Sequence, residues 1–273
     1  MEFWKITPGG NPTVFVEAVA VPPHRRPAVA AAIMNPLHLG CEQVGFVDIN
    51  RALPRLDMMG GEFCVNATRA FAVLLARHGR LTGGEGSVLT GEVSVSGTDQ
   101  PVAVKVTQNG KDFRAAAGLR LDCLPLPQEV EAGVFLLRLP GIVHLILEGP
   151  ASDPHGLAEN CAALRRRHHL EAEEAVGCLW LEEKQVPCLF PVVWVRQTES
   201  LCLETACGSG SLACALLLCH REGDWKRTQA IRQPSGCCLE IAVEKGADGW
   251  IVWVDGAVSV VAEGRLYLEK YKG

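Results

Sequence analysis

The feature that most constrains this chain is a repeat. "CVNATRAFAVLLARHG" begins at Cys64, and "CGSGSLACALLLCHRE" begins at Cys207. With the two cysteines aligned, Ala70 meets Ala213, Ala72 meets Ala215, Leu74 meets Leu217 and Leu75 meets Leu218. A glutamate precedes each cysteine: Glu62 by two residues, Glu204 by three. Each copy opens on small residues and continues apolar on every side, which is the mark of a helix buried all round. The offset is 143 residues in a chain of 273. Two similar halves, each wrapping strands around one central helix, account for it most simply.

The rest of the chain reads as α+β with mostly β content. Strand-like alternation and β-branched residues occur at 13–18, 43–48, 102–107, 143–147, 192–196, 238–244, 250–255 and 258–262. The pairs "NG" (109–110) and "DG" (255–256) and the triplet "ADG" (247–249) predict turns. Helices are expected at about 25–38, 65–78, 155–168 and 208–221.

Composition narrows the function. Net charge is −5, so no general field draws the chain to nucleic acid or an anionic membrane. The one basic cluster, "RRRHH" at 165–169, reads as a solvated helix face. The N-terminus lacks the pattern of a signal peptide, and no apolar run has the length of a membrane span. The cytoplasm is the expected compartment. Twelve cysteines are many, yet no C-x2-C faces a second one, so zinc-ribbon spacing is missing and no metal is expected. Cys202, Cys207, Cys214 and Cys219 are spaced 5, 7 and 5, with three of them in one helix-like run. Most of the twelve are expected to be small buried hydrophobes.

A cysteine at a helix start sits where unpaired N–H groups and the dipole favour a thiolate. The next N–H groups, from Val65 and Asn66 or from Gly208 and Ser209, can hold an anion such as a carboxylate. Each cysteine alone reads as a structural thiol. Their joint placement at the two repeat starts suggests more. Inverting a stereocentre needs a base on one face of a planar carbanion and an acid on the other, and one thiolate with one thiol suits both tasks. A pyridoxal-phosphate enzyme would need a Schiff-base lysine and a phosphate cradle. The chain has eight lysines and no Gly-rich lysine motif, so no cofactor is expected.

"GGEFCVNATRA" and "ETACGSGSLACA" resemble the two cysteine motifs of the diaminopimelate epimerase family of cofactor-independent amino-acid racemases and epimerases. The likeness covers nearly the whole chain, including "GGNPTVFV" near the start and "CEQVGFVDI" at 41–49. Within that family it is nearer to the histidine racemases of opine-metallophore (staphylopine-type) biosynthesis, through "CEQVGF", "RQPSG" at 232–236 and the two-residue gap between Glu204 and Cys207.

The resemblance implies two pseudo-symmetric halves, each a β-barrel-like roll around a central helix. Residues 1–119 would carry the Cys64 helix and 120–261 the Cys207 helix, with the last strand, about 262–273, returning to the first half. It implies Cys64 and Cys207 as the acid–base pair, and Val65, Asn66, Gly208 and Ser209 as carboxylate anchors. Asn11 and Gln43 would hold the α-amino end. His144, Glu199 and Glu204 would lie near the thiols and tune them. A homodimer is common in the family.

Where diaminopimelate epimerases grip the distal head with two asparagines and an arginine, this chain has Arg55, Ile142 and Ser200. Without that arginine a distal carboxylate loses a bidentate partner. Val65 stands where the family has glycine, a strained choice if the position needs positive φ. The expectation is therefore a racemase of histidine. Diaminopimelate or another amino acid is the alternative substrate, and a thiol sensor or a non-catalytic binding module is the alternative class.

Overall fold

The computed structural model describes residues 1–84, 86–151, 154–196, 199–246 and 249–268. The chain divides into two compact units, Met1–Ala117 with Ala257–Gly273, and Gly118–Gly256.

The first unit holds β1 (Glu2–Thr7), β2 (Thr13–Glu17), α1 (Arg26–Met34), β3 (Gln43–Asp48), β4 (Arg55–Met58), α2 (Val65–Arg77), β5 (Leu89–Val95), β6 (Val102–Asn109) and the start of β7 (Asp112–Leu121). The second holds β8 (Gln128–Glu131), β9 (Val134–Leu139), β10 (Ile142–Glu148), α3 (Pro154–Arg167), β11 (Ala175–Glu182), β12 (Cys188–Val195), β13 (Ser200–Leu203), α4 (Gly208–Glu222), β14 (Gln229–Arg232), β15 (Cys238–Gly246) and the start of β16 (Gly249–Arg265). The later part of β16 pairs with β1 in the first unit.

The repeat extends to the pairing. β1–β2 is antiparallel, β2–β3 parallel, β3–β4 antiparallel, β4–β5 parallel and β5–β6 antiparallel. The same alternation runs through β9–β10, β10–β11, β11–β12, β12–β14 and β14–β15. Parallel neighbours need a crossover. α1 makes the one between β2 and β3, and α3 the one between β10 and β11.

Each sheet is covered on two sides. α1 lies with Phe3, Val14, Val16, Val44 and Phe46 in one apolar cluster. α3 brings Leu157 and Cys161 onto Val143, Leu145, Val176, Cys178 and Trp180. On the other side α2 packs against β1, β2, β5 and β6, and α4 against β9–β12, β14 and β15. Strands buried on both faces read as continuous apolar runs, as "AVGCLWL" in β11 does. In α2 every residue from Val65 to Leu75 is buried, and in α4 all from Gly210 to Cys219. The all-round apolar pattern meant a buried helix in both copies.

Several sequence expectations give way. Asp255–Gly256 makes no turn: it lies within β16, which stays extended by pairing with β15 up to Asp255 and with β1 from Ser259. The "NG" at 109–110 does join two strands, β6 and β7, with Gly110 at φ 61. Ala247 and Asp248 of the "ADG" lie outside the described residues. The basic cluster is not simply solvated. Arg165 stacks 3.4 Å over the Trp194 ring, and Arg167 and His168 both reach Glu131. Five of the twelve cysteines are buried, not most: Cys161, Cys178, Cys207, Cys214 and Cys219. Among the described residues no helix is long and apolar enough to cross a membrane.

Candidate active site

Cys64 and Cys207 are the N-caps of α2 and α4, with nearly the same backbone: φ −122, ψ 111 and φ −129, ψ 109. Each sulfur accepts the N–H three residues on, Ala67 to Cys64 and Gly210 to Cys207, both at 3.4 Å. Each cysteine carbonyl takes a second bond from a hydroxyl in the same helix, Thr68 Oγ1 at 2.8 Å in one copy and Ser211 Oγ at 2.7 Å in the other. Cysteine is an uncommon cap, because sulfur is a weak acceptor. Two such caps in one chain point to the thiol rather than to helix stability.

The segment leading into each thiol is held by a polar residue just beyond the strand that follows the central helix. In the first unit Ser96 Oγ donates to the Glu62 carbonyl at 2.8 Å and accepts the Met58 N–H at 2.9 Å. Gly97 follows it at φ 76, and a Cβ there would lie 2.2 Å from the Phe63 nitrogen. In the second unit Gln233 Oε1 accepts the Cys207 N–H at 2.9 Å, while its Nε2 donates to Ser211 Oγ at 2.8 Å. Gln233 is 3% exposed, so this amide is committed to the cap. Neither Ser96 nor Gln233 was singled out from the sequence, although "RQPSG" contains Gln233.

The electrostatics of Cys207 depart from the sequence expectation. Burial pushes its pKa well above the ordinary thiol value, and the charge and hydrogen bond of Glu204 push it further the same way. Ser209 and the Gly210 N–H pull it down by less. Desolvation outweighs the helix terminus, so Cys207 is a protonated thiol at neutral pH. The Glu62 carboxyl has its pKa raised by burial, opposed by backbone N–H groups of Glu62 and Gly60, and its Oε2 is buried without a hydrogen-bond partner.

Val65 is the first residue of α2 and lacks a positive φ, so the valine is unstrained there. Asn11 is buried with φ 53. Its Nδ2 donates to Glu42 at 2.9 Å, and its Oδ1 accepts from Gln43 Nε2, which also donates to Thr13 at 2.9 Å. Asn11 and Gln43 thus come together. Arg55 does not join them. It pairs with Asp48 at the other end of β3, about 16 Å along the strand from Gln43. Its guanidinium is held by Asp57 at 2.7 Å and Ser94 at 2.7 Å.

In the second unit Ile142 opens β10 and Ser200 opens β13, both half-buried. Glu199 is exposed, at φ 48, just before β13. His144 is fully buried opposite Gly177, where a Cβ would lie 2.3 Å from its Nδ1. The same arrangement occurs in the first unit, where the Phe15 ring covers Gly45. Neither ring nitrogen of His144 makes a hydrogen bond of ordinary geometry. Burial lowers its pKa to about 3, with the Gly177 backbone pulling weakly the other way.

Residues 1–267 match the family described as "Histidine racemase CntK N-terminal domain". The chain belongs to the histidine racemase family. Its family likeness, argued above from the two cysteine motifs, is borne out. A histidine racemase of Fusobacterium nucleatum subsp. nucleatum is 27% identical over 271 residues, covering 98% of this chain and 97% of the relative. One of Staphylococcus aureus is 24% identical over 281 residues, covering 98% of each. Two solved structures share the fold of this histidine racemase family member. A predicted epimerase from Pseudomonas aeruginosa matches at a TM-score of 0.67 with 14% identity, over 98% of this chain and 99% of that one. A probable proline racemase from Agrobacterium radiobacter K84 matches at 0.66 with 11% identity, over 99% and 94%.

Proposed function

We propose that the protein interconverts L- and D-histidine without a cofactor, with Cys64 and Cys207 as the two proton-transfer groups. The observation that carries this reading is the matched pair of thiol caps, alike in backbone, acceptor bond and hydroxyl support. The repeated pairing senses support a finer reading of the fold: two pseudo-symmetric halves, each a barrel-like roll about its central helix, as in diaminopimelate epimerases.

The cycle balances with no other reactant. The Cα–H bond of histidine breaks as an S–H bond forms on one cysteine. The other cysteine's S–H bond breaks as a new Cα–H bond forms on the opposite face. Cys207 enters as the thiol, because burial and Glu204 keep its proton on. Cys64 is then the base of the resting enzyme, acting on the enantiomer whose α-hydrogen faces it. Between the two transfers the carboxylate gains enolate charge. The first-turn N–H groups of Val65–Asn66 and Gly208–Ser209 lie where helix geometry supplies no acceptor, and they stabilise it.

The imidazole is assigned to the side of Ile142 and Ser200. Diaminopimelate would bring a second carboxylate, and a serine offers it no guanidinium. Arg55 is engaged by Asp57 and Ser94, so no part in substrate binding is proposed for it.

The test is incubation with L-histidine in heavy water under reducing conditions. D-histidine carrying α-deuterium is expected, and Cys64→Ser or Cys207→Ser should each abolish it. No exchange with histidine sinks the substrate assignment. Exchange that survives both substitutions together sinks the two-thiol mechanism. Preferential turnover of diaminopimelate restores the alternative substrate.

A further inference from the structure

Arg69 is fully buried, one turn into the helix that Cys64 caps. Burying a guanidinium is costly unless its donors are met. Here they are met by oxygens from four segments of the same unit. Nε donates to the Ala115 carbonyl at 2.9 Å. Nη1 donates to the Pro8 carbonyl at 3.1 Å and to Asn66 Oδ1 at 3.2 Å. Nη2 donates to the Ala257 carbonyl at 3.4 Å.

The fold by itself does not ask for an arginine at this place. With the cysteines aligned, the other copy has Leu212, which is also fully buried. What the first unit adds is the segment Pro8–Gly9–Gly10–Asn11, in which residues 9, 10 and 11 have φ 83, 117 and 53. Three consecutive residues at positive φ are costly to hold, and the last of them is an asparagine. Arg69 grips the carbonyl that opens this segment.

The contact with Asn66 has a chemical consequence. An amide has an acceptor end and a donor end. With Oδ1 turned to Arg69, the Nδ2 donors point the other way. A carboxylate needs donors.

We propose that Arg69 is a positioning residue of the substrate site: it turns the donor end of Asn66 and the Asn11 segment toward the amino-acid head of the substrate. This rests on the racemase reading above. The four oxygens come from different parts of the chain, so one fork-shaped group sets their mutual geometry. A lysine, with three donors on one atom, cannot reproduce the fork.

The test uses Arg69→Lys, Arg69→Met, Asn66→Ala and the Arg69→Lys/Asn66→Ala double variant. Each is assayed for histidine racemisation, with thermal unfolding measured alongside. Losing a charge-assisted or carboxylate hydrogen bond corresponds to about 10–100-fold in affinity. Arg69→Lys is therefore expected to raise KM for histidine by about tenfold or more while staying folded. In the Asn66→Ala background the same change should add less than it does alone, because part of its effect runs through Asn66.

Wild-type KM in Arg69→Lys overturns the proposal, as do penalties that multiply in the double variant. Failure of both Arg69 variants to fold assigns the residue to stability alone and also overturns it. If the wild type does not racemise histidine, the substrate reading fails and takes this inference with it. Wild-type turnover with unaffected variants sinks the inference alone.

Discussion

The Glu204 carboxylate is hydrogen-bonded to the Cys207 thiol, and its charge and its bond both hold the proton on sulfur. Added to burial, which is the larger cause, the contact helps to reverse what a cysteine at a helix start would ordinarily do.

Replacing Glu204 by Gln should therefore lower the pKa of Cys207. The charge goes, and an amide is a weaker acceptor for the S–H. Burial remains, so the thiol should still titrate above an ordinary cysteine. Site-resolved alkylation against pH, read by mass spectrometry, measures this directly. An unchanged Cys207 profile would show that Glu204 does not act on the thiol.

Gln233→Leu should loosen the same cap from the other side. The Cys207 N–H and the Ser211 hydroxyl would lose their partner in a buried place, a cost of about 1–3 kcal/mol. Urea unfolding should show that loss, and kcat should fall on the order of tenfold from misplacement of the sulfur. A stable variant with full kcat would mean that the cap holds without the amide.

The parts of this fold that were legible in sequence are those where burial leaves no choice. α2 and α4 are enclosed all round, so both copies had to be small and apolar, and the repeat showed through. Their sheets are buried on two faces, which permits any apolar order. β11, buried from Ala175 to Leu181, was therefore missed, and the strand repeat was hidden. The thiols were legible because they stand at matched positions. Ser96, Gln233 and Arg69 were not, because most of their partners are backbone groups, which leave no mark on the residue types around them. In the basic cluster Arg166, Arg167 and His169 are exposed, but Arg165 is half-buried over Trp194, a contact that the local sequence does not announce.

Val65→Gly tests the helix-start geometry. Val65 is 2% exposed and helical, so glycine there frees the backbone and empties a packed space. The expected cost is about 1–3 kcal/mol of stability. The N–H is retained, so KM for histidine should stay at the wild-type value. A glycine variant with higher affinity and unchanged stability would show instead that the valine is strained.

His144→Phe separates packing from catalysis. The Phe15 ring over Gly45 shows that a phenyl group suits the equivalent place in the first unit. In the native protein His144 titrates at about 3, against an unfolded value near 6.5. Below pH 6.5 the unfolded chain binds a proton that the folded chain refuses, so stability is lost as pH falls and the loss is complete near pH 3. Between pH 7 and pH 4 this amounts to about 3 kcal/mol. The phenylalanine variant should lack that part of the acid sensitivity, which urea midpoints at the two pH values will show. Equal acid sensitivity in both proteins would mean that His144 is solvated or paired in the native state. Turnover should be kept, because the imidazole is neutral at working pH and is not among the groups that shift Cys207. Lost turnover in a stable variant would return His144 to the role of tuning a thiol.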